Sequence, residues 1–197
     1  AKSGEVLIDG VALDQIGARQ YRQQIAAVMQ DDELLSGSVA DNIAFFDTPI
    51  DMERVVYCAD LAAIHDDISA MPMGYDSLIG DMGSSLSGGQ KQRISLARAI
   101  ILQPRVLILD EALAALDPSL RSQMLNLLLD LQQQMGLAFI LISQNLGIVR
   151  HASDNLIVLK DGKVVEQGPT QQVFNNPKDK YTKILMMSQH LKLGHAI

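Results

Sequence analysis

The sequence contains no tryptophan, only four phenylalanines and four tyrosines, and a single cysteine among 197 residues. This shortage of aromatic side chains argues against a surface on which nucleic acid bases stack. Basic residues are also in the minority, with 16 Lys and Arg against 23 Asp and Glu, so no basic field would attract nucleic acid or anionic lipid. The lone Cys58 excludes a disulfide within the chain, which fits a reducing compartment.

Long apolar runs are absent as well. The longest, such as Val106–Leu109 and Phe139–Ile142, have the length of a strand and fall well short of the roughly 20 residues that span a bilayer. The first residues lack the basic, apolar and cleavable segments of a secretory signal. The length and the 48% hydrophobic content predict one soluble cytosolic domain, 1–197, with a substantial core.

Apolar strand patterns alternate with helical ones along the chain. Strands are predicted at Ile25–Met29, Val106–Leu109 and Ala138–Ser143, with hairpins at Glu5–Leu13 and Asn155–Gln167. Helices are predicted near Ala18–Gln23, from Ser38 to Ala70, from 88 to about 102, and at Pro118–Met135, Asn145–His151, Thr170–Asn175 and Lys180–Leu191. The order predicts an α/β fold, a parallel sheet flanked by helices. A helical subdomain at about 38–100 would interrupt the sheet, and a helical tail would cover about 170–197.

One candidate site lies at Leu86-Ser87-Gly88-Gly89-Gln90, directly before a predicted helix. Ser87 and Gln90 have the spacing of a capping box. Paired glycines that open a helix leave backbone N–H groups bare and let a phosphate approach closely. The alternative is a glycine turn that only begins a helix, and this short motif alone does not decide between the two.

A second candidate is the acidic pair Asp110-Glu111 at the end of an apolar strand. Carboxylates at the tip of a buried strand commonly hold a phosphate-bound Mg²⁺ ion. The alternative is an ordinary polar strand exit. The pair follows the glycine motif by about twenty residues, and Ala115-Leu116-Asp117 comes shortly after it. This context favours the metal-binding interpretation.

The combined pattern resembles the signature and Walker B motifs of ABC-type ATPases. It comprises Ser87–Gln90, the following Lys91-Gln92-Arg93 and Ala97-Arg98-Ala99, and then Asp110-Glu111. The resemblance covers about Gly4 to Gln167. It implies a P-loop NTPase-like fold, ATP and Mg²⁺ as cofactors, and the helical subdomain between a Q-loop and the signature motif.

The resemblance also implies a role for each motif. Asp110 would hold Mg²⁺ through water, Glu111 would be the general base, and Gln30 would be the Q-loop glutamine that contacts Mg²⁺ and the attacking water. Ser87–Gln90 would contact the γ-phosphate of ATP on a second nucleotide-binding domain in a head-to-tail dimer. Ala115–Asp117 looks like the D-loop that reaches the partner's site.

The sequence departs from the family pattern in two ways. It contains no phosphate loop of the form G-x-x-x-x-G-K-[ST], so the N-terminal strands that carry this loop are expected to be truncated, exposing a sheet edge and apolar surface. Gln144 stands where the family has a histidine that contacts the γ-phosphate. Glutamine can donate a hydrogen bond there but cannot carry a proton. We expect the chain alone neither to bind nor to hydrolyse ATP measurably.

The sequence therefore predicts the ATP-binding part of an ABC membrane transporter for a peptide-type substrate, in the cytoplasm against the inner face of the membrane. Its partners would be transmembrane domains and a second nucleotide-binding domain, without nucleic acid. Residues up to about Ala99 look most like peptide or bacteriocin exporters, and those from Ile101 like peptide importers, so the direction of transport stays open. One alternative is a degenerate, non-hydrolytic module that contributes only its signature face. Another is a DNA-repair or translation ATPase.

Overall fold

The computed structural model describes residues 4–5, 7–8, 10–30, 32–80, 86–114 and 116–193, with side chains up to residue 188. Contacts divide the chain into two compact units, Ala1–Ile142 and Ser143–Ile197. None of the helices within these described ranges is long and apolar enough to cross a membrane.

The first unit combines short strands with helices. Its strands are β1 (Leu7–Ile8), β2 (Val11–Ala12), β3 (Ile25–Met29), β4 (Gly37–Ser38), β5 (Leu78–Ile79), β6 (Val106–Asp110) and β7 (Ala138–Ile142). Its helices are α1 (Leu13–Ile16), α2 (Ala18–Arg22), α3 (Val39–Ile43), α4 (Met52–Leu61), α5 (His65–Ser69), α6 (Gly88–Ile100) and α7 (Pro118–Met135), with a 3₁₀ turn at Gly74–Asp76. The predicted α/β fold, with a parallel sheet flanked by helices, is confirmed.

The central sheet has the strand order β3-β6-β7, and both pairings are parallel. Its last register row places Met29 beside Asp110 and Asp110 beside Ile142. The three strands therefore end together, and the residues that follow them leave the sheet at one edge. This is the edge at which ligands bind in open α/β sheets.

The two faces of the sheet differ in burial because side chains alternate along each strand. The buried face carries Ala26, Val28, Leu107 and Leu109. On the opposite face, Met29, Ile140 and Ile142 keep 45%, 50% and 47% of their surface exposed. This face of the sheet therefore carries apolar side chains that are about half exposed.

The helical stretch between β3 and β6 is more broken than its pattern predicts. The stretch from Ser38 to about Ala70, whose pattern predicts helical structure, contains three separate helices, and α3 is followed by Phe45 and Phe46 with positive φ angles of 55° and 57°. Residues 71–80, for which the sequence predicts no helix or strand, include the 3₁₀ turn and β5, which pairs antiparallel with β4. Two-residue strands are too short to leave a periodic signal. α1 was likewise not predicted.

The second unit contains α8 (Leu146–Ala152), β8 (Asn155–Lys160), β9 (Lys163–Pro169), α9 (Thr170–Asn175) and α10 (Lys180–Leu193). β8 and β9 form the predicted hairpin. The hairpin is two residues longer than the predicted Asn155–Gln167, since β9 continues until Pro169 pairs with Asn155 at its last position. A proline is tolerated at the end of a strand because no further ladder bond depends on its missing N–H.

Glu166 on β9 fixes the start of α10. Its carboxylate accepts the N–H groups of Lys178 at 2.8 Å and Asp179 at 3.0 Å. Burial acts to raise the pKa of Glu166, but these hydrogen bonds and the charge of Lys178 outweigh it and lower the pKa below its usual value. The unit has a core of its own, which is formed by Leu146, Leu156, Val158, Val173 and Met186.

Candidate functional site

The signature segment forms the predicted capping box at the start of α6. The Ser87 N–H donates to Gln90 Oε1 at 3.0 Å, and the Gln90 N–H donates to Ser87 Oγ at 3.2 Å. The amides of Gly88 and Gly89 belong to the first turn of the helix, whose N–H groups have no acceptor within the helix. The positive end of the helix dipole adds to their attraction for an anion.

The two glycines of this segment have different surroundings. Gly88 is exposed, and a Cβ built on it would meet no described atom within 4 Å. Gly89 is buried, and its Cβ would lie 3.3 Å from Leu120 Cδ1 on α7. Gly88 therefore offers open access to an anion, whereas Gly89 also lets α6 and α7 approach closely.

Gln90 is held by residues of the helical stretch. Its Nε2 donates to Asp67 Oδ1 on α5 at 3.3 Å, while its Oε1 serves the capping box. Arg93, one turn further along α6, lies 3.6 Å from the other Asp67 oxygen and donates to the carbonyl oxygen of Ala63. The Gln90 side chain is thereby committed to orienting the start of α6.

Gln30 and the acidic pair lie at the carboxyl edge of the central sheet. Asp110 is the last residue of β6, Glu111 follows it, and Gln30 follows Met29 on the neighbouring strand β3. Gln30 is exposed, and Asp110 and Glu111 are half-buried. The parallel register thus brings three predicted site residues to one edge from positions about eighty residues apart in sequence.

Glu111 has a backbone conformation that is uncommon for its residue type. Its φ angle is 49°, in the left-handed region. Two hydrogen bonds hold it there, since its N–H donates to the Ile142 carbonyl oxygen at 2.9 Å and its own carbonyl oxygen accepts the Ala114 N–H at 2.9 Å. Non-glycine residues in this region concentrate at functional sites.

Asp117 begins α7, with Pro118 at the first helical position as predicted. Its Oδ1 accepts the N–H groups of Ser119 and Leu120, both at 3.0 Å. The side chain thus acts as a helix cap in this structure. Ala115, the first residue of the proposed D-loop, lies outside the described residues.

Arg121 holds the chain between Glu111 and Asp117. Its guanidinium donates, over distances from 2.7 to 3.3 Å, to three carbonyl oxygens, those of Leu113, Ala114 and Leu116. The planar Arg121 guanidinium therefore provides hydrogen-bond donors for three carbonyl oxygens of this loop, which would otherwise need water as a partner.

Gln144 belongs to the second unit and is exposed. The next residue, Asn145, caps α8 by accepting the N–H groups of Gly147 at 3.0 Å and Ile148 at 3.3 Å. The helix therefore begins immediately after Gln144.

The described residues contain no group of three or more His, Cys, Asp or Glu side chains that could hold a metal ion. The carboxylate of Asp110 and the amide oxygen of Gln30 are nevertheless oxygen ligands of the type that Mg²⁺ prefers. Mg²⁺ also commonly keeps water and phosphate oxygens among its ligands. The donor set at the sheet edge therefore fits Mg²⁺ that arrives with a nucleotide.

Sequence reasoning assigned no role to Asp67, Arg93 or Arg121, which support the site residues from neighbouring elements. Arg93 stands within the motif that carries the resemblance, but a motif does not identify the partners of its side chains. The signals that could have drawn attention to these residues are weak, because charged residues on helices usually face solvent.

A family model described as ABC transporter matches residues 1–114. The Toxin RTX-III translocation ATP-binding protein of Actinobacillus pleuropneumoniae is 42% identical over 182 residues, 91% of this chain and 25% of that protein. The Leukotoxin translocation ATP-binding protein LktB of Mannheimia haemolytica is 41% identical over 183 residues, 92% of this chain and again 25% of the relative.

Among solved structures, a bacterial Atm1-family ABC exporter with ATP bound matches with a TM-score of 0.81 and 29% identity, over 95% of this chain and 32% of the exporter chain. This likeness confirms the predicted P-loop NTPase-like fold. The chain spans about a quarter of the length of the curated relatives that it matches.

Proposed function

The chain belongs to the ABC transporter family, and from this premise we propose that it is the ATP-binding component of a membrane transporter that exports a polypeptide. ATP binding and hydrolysis would drive the transport. The observation that carries this proposal is that β3 and β6 end side by side, with Met29 paired to Asp110. Gln30 and Glu111 are the next residues after the two strands.

The residues at this edge divide the chemistry between them. Bound Mg·ATP supplies the phosphoryl group that is transferred and a cation that offsets its charge. Asp110, through water, and Gln30 would hold this cation. Glu111 accepts a proton from the attacking water, and its backbone, held by hydrogen bonds on both sides, fixes the point from which its side chain extends.

The start of α6 serves a different nucleotide. The Ser87 hydroxyl and the Gly88 and Gly89 amides form an anion site for the γ-phosphate of ATP held by a second nucleotide-binding domain, with Gln90 orienting the turn. Asp117, at the exposed start of α7, lies in the loop that approaches the same partner. The functional unit is therefore a head-to-tail dimer attached to transmembrane domains at the cytoplasmic face of the membrane.

Gln144 and the missing phosphate loop limit what these 197 residues do alone. Without the loop, no nest of backbone N–H groups and no lysine receive the β- and γ-phosphates. An amide at position 144 donates a hydrogen bond but carries no charge, and losing one such electrostatic contact costs on the order of 10²–10³ in rate. The chain is therefore active only when a phosphate loop is supplied.

Export of a polypeptide is supported by the relatives. The two curated relatives are named as toxin translocation proteins, and their similarity extends over both the exporter-like and the importer-like halves of this chain. The structural neighbour is described as an exporter.

Hydrolysis by a repaired chain tests the proposal. An N-terminal phosphate-loop segment from a homologous exporter, joined together with Gln144→His, should give ATP hydrolysis above background. Adding Glu111→Gln should then lower kcat by about 10²–10⁴. Glu53→Gln, which changes an exposed carboxylate on α4, is the matched control and should leave kcat within about twofold. No hydrolysis in the repaired chain, or equal effects of the two Glu→Gln changes, would refute the assignment.

A second candidate function is a non-hydrolytic module that contributes only its signature face, and Gln144 is the observation that favours it. Mixing the unmodified chain with an intact homologous domain distinguishes the two. The module is supported if the unmodified chain forms an ATP-dependent complex and the repaired chain does not hydrolyse ATP. The enzyme is supported if the repaired chain hydrolyses ATP and this hydrolysis depends on Glu111.

A further inference from the structure

A buried arginine near the end of α6 contacts the segment that follows Gln30. Arg98 keeps 9% of its surface exposed. One terminal nitrogen, Nη2, lies 3.6 Å from Asp32 Oδ2, and the other, Nη1, donates to the Glu33 carbonyl oxygen at 3.3 Å. The guanidinium therefore holds both a side chain and the main chain of this segment.

The same Asp32 carboxylate closes the turn that contains Gln30. Its Oδ2 accepts the Met29 N–H at 3.2 Å, and the Asp32 N–H donates to the Met29 carbonyl oxygen at 3.4 Å. Gln30 thus directly follows a residue whose N–H and carbonyl oxygen are both bonded to Asp32. Arg98 fixes the Asp32 carboxylate.

Helix α6 connects this contact to the signature segment. Ser87 caps one end of the helix, and Arg98 stands eleven residues later, about 16 Å along an α-helix at 1.5 Å per residue. The helix packs against α3, α4 and β3 along its length. One continuous helix therefore joins the signature segment to the contact with the turn around Gln30.

We infer that Arg98 and Asp32 are positioning residues that set the orientation of Gln30 and couple it to the start of α6. The functional consequence rests on the proposed function, in which Gln30 contacts Mg²⁺ and water. The structural part does not, because it concerns only the turn between residues 29 and 33.

The coupling is tested by kinetics in the repaired chain described above. Arg98→Lys keeps the charge but removes the second N–H group that reaches Glu33, and it should lower kcat about tenfold while KM for ATP changes less than about threefold. In a Gln30→Ala background, the same Arg98→Lys change should lower kcat by less than about twofold, because its effect passes through Gln30. A merely structural role would lower kcat by the same factor in both backgrounds, and that result would overturn the inference.

The matched control is Arg54→Lys. Arg54 lies on α4 and donates to the carbonyl oxygen of Ile101 just beyond α6. It should leave kcat within about twofold in both backgrounds. A tenfold loss in this control as well would contradict the assignment to Arg98.

Hydrogen exchange of the unmodified chain decides the structural part separately. Arg98→Lys should speed exchange of the Asp32 amide about tenfold, with the β3 amides unchanged, and Arg54→Lys should not. Unchanged exchange at Asp32, or a uniform increase across the chain, would overturn the inference even if hydrolysis is seen. Local exchange as expected without hydrolysis by the repaired chain would support the Arg98 contact and refute the proposed function.

Discussion

Asn42 offers a sharp test of how the segment after Gln30 is held against the helical stretch. This side chain on α3 is completely buried. Its Oδ1 accepts the Leu35 N–H at 2.8 Å, and its Nδ2 donates to the carbonyl oxygens of Leu35 at 2.9 Å and Ser38 at 3.0 Å. Asn42 thus satisfies three backbone groups of the segment that leads from Gln30 to α3.

Replacing Asn42 with alanine is expected to lower the free energy of unfolding by about 2–4 kcal/mol. Each lost hydrogen bond costs about 1 kcal/mol net, and the cavity left by the amide adds to this loss. The better helix propensity of alanine returns about 0.5 kcal/mol. The loss of hydrogen bonds outweighs the gain in helix propensity because the site is buried, so that water does not freely reach the backbone groups of Leu35 and Ser38 that lose their partner.

The measurement is urea denaturation followed by far-ultraviolet circular dichroism. The matched control is Asn126→Ala on the exposed side of α7, which should stay within about 0.5 kcal/mol of the unmodified chain. A loss below about 1 kcal/mol for Asn42→Ala, or equal losses in the two variants, would refute the reasoning.

Asn42→Asp sharpens the same test through its pH dependence. The new carboxylate would face the carbonyl oxygens of Leu35 and Ser38, so its charged form is disfavoured in the folded chain and its pKa is raised above the unfolded value of about 3.9. The variant should therefore be more destabilised at pH 7 than at pH 4, where protonation restores one donor. A destabilisation that does not change between these pH values would contradict the hydrogen-bond assignment.

Three further predictions concern other parts of the chain. Gly89→Ala should leave the chain about 1 kcal/mol less stable than Gly88→Ala in urea titrations, because both variants gain a similar helix propensity and only the Cβ at position 89 would press on Leu120, and equal stabilities would contradict this. Because the pKa of Glu166 is lowered in the folded chain, its stabilising effect is complete above the unfolded pKa of about 4.3 and disappears as the pH falls through the lower folded value. Glu166→Gln should thus cost about 1–2 kcal/mol at pH 7 and progressively less as the pH falls below about 4.3, and a cost that does not change with pH would contradict this. Burial raises the pKa of the Cys58 thiol, so a thiol reagent should label the folded chain at least about 100-fold more slowly than the chain in urea, and rapid labelling of folded protein would contradict its burial.

Elements bounded by strong local signals could be predicted from the sequence. β3 has the predicted bounds Ile25–Met29 because five apolar residues stand between polar ones. α7 begins and ends as predicted, since Asp117 caps its start and Gly136 ends it with a left-handed φ angle of 64°. The capping box of Ser87 and Gln90 follows from spacing alone.

Features that depend on distant residues could not be predicted. β4 and β5 are two residues each and exist only because they pair with each other across about forty residues. Arg98 reaches a carbonyl oxygen 65 positions away, and no local pattern indicates that partner. The residue types of the candidate site thus follow from motifs, whereas the contacts that hold them follow only from the fold.

The left-handed backbone of Glu111 sets stability against activity at one position. A residue with a Cβ pays about 1–2 kcal/mol in this conformation, and glycine avoids most of that cost. Selection for thermal stability alone would therefore favour Glu111→Gly, which also removes the carboxylate proposed as the base. If variants are selected for stability without an activity screen, Glu111 is expected to be among the first site residues replaced. Retention of the glutamate would indicate selection for hydrolysis.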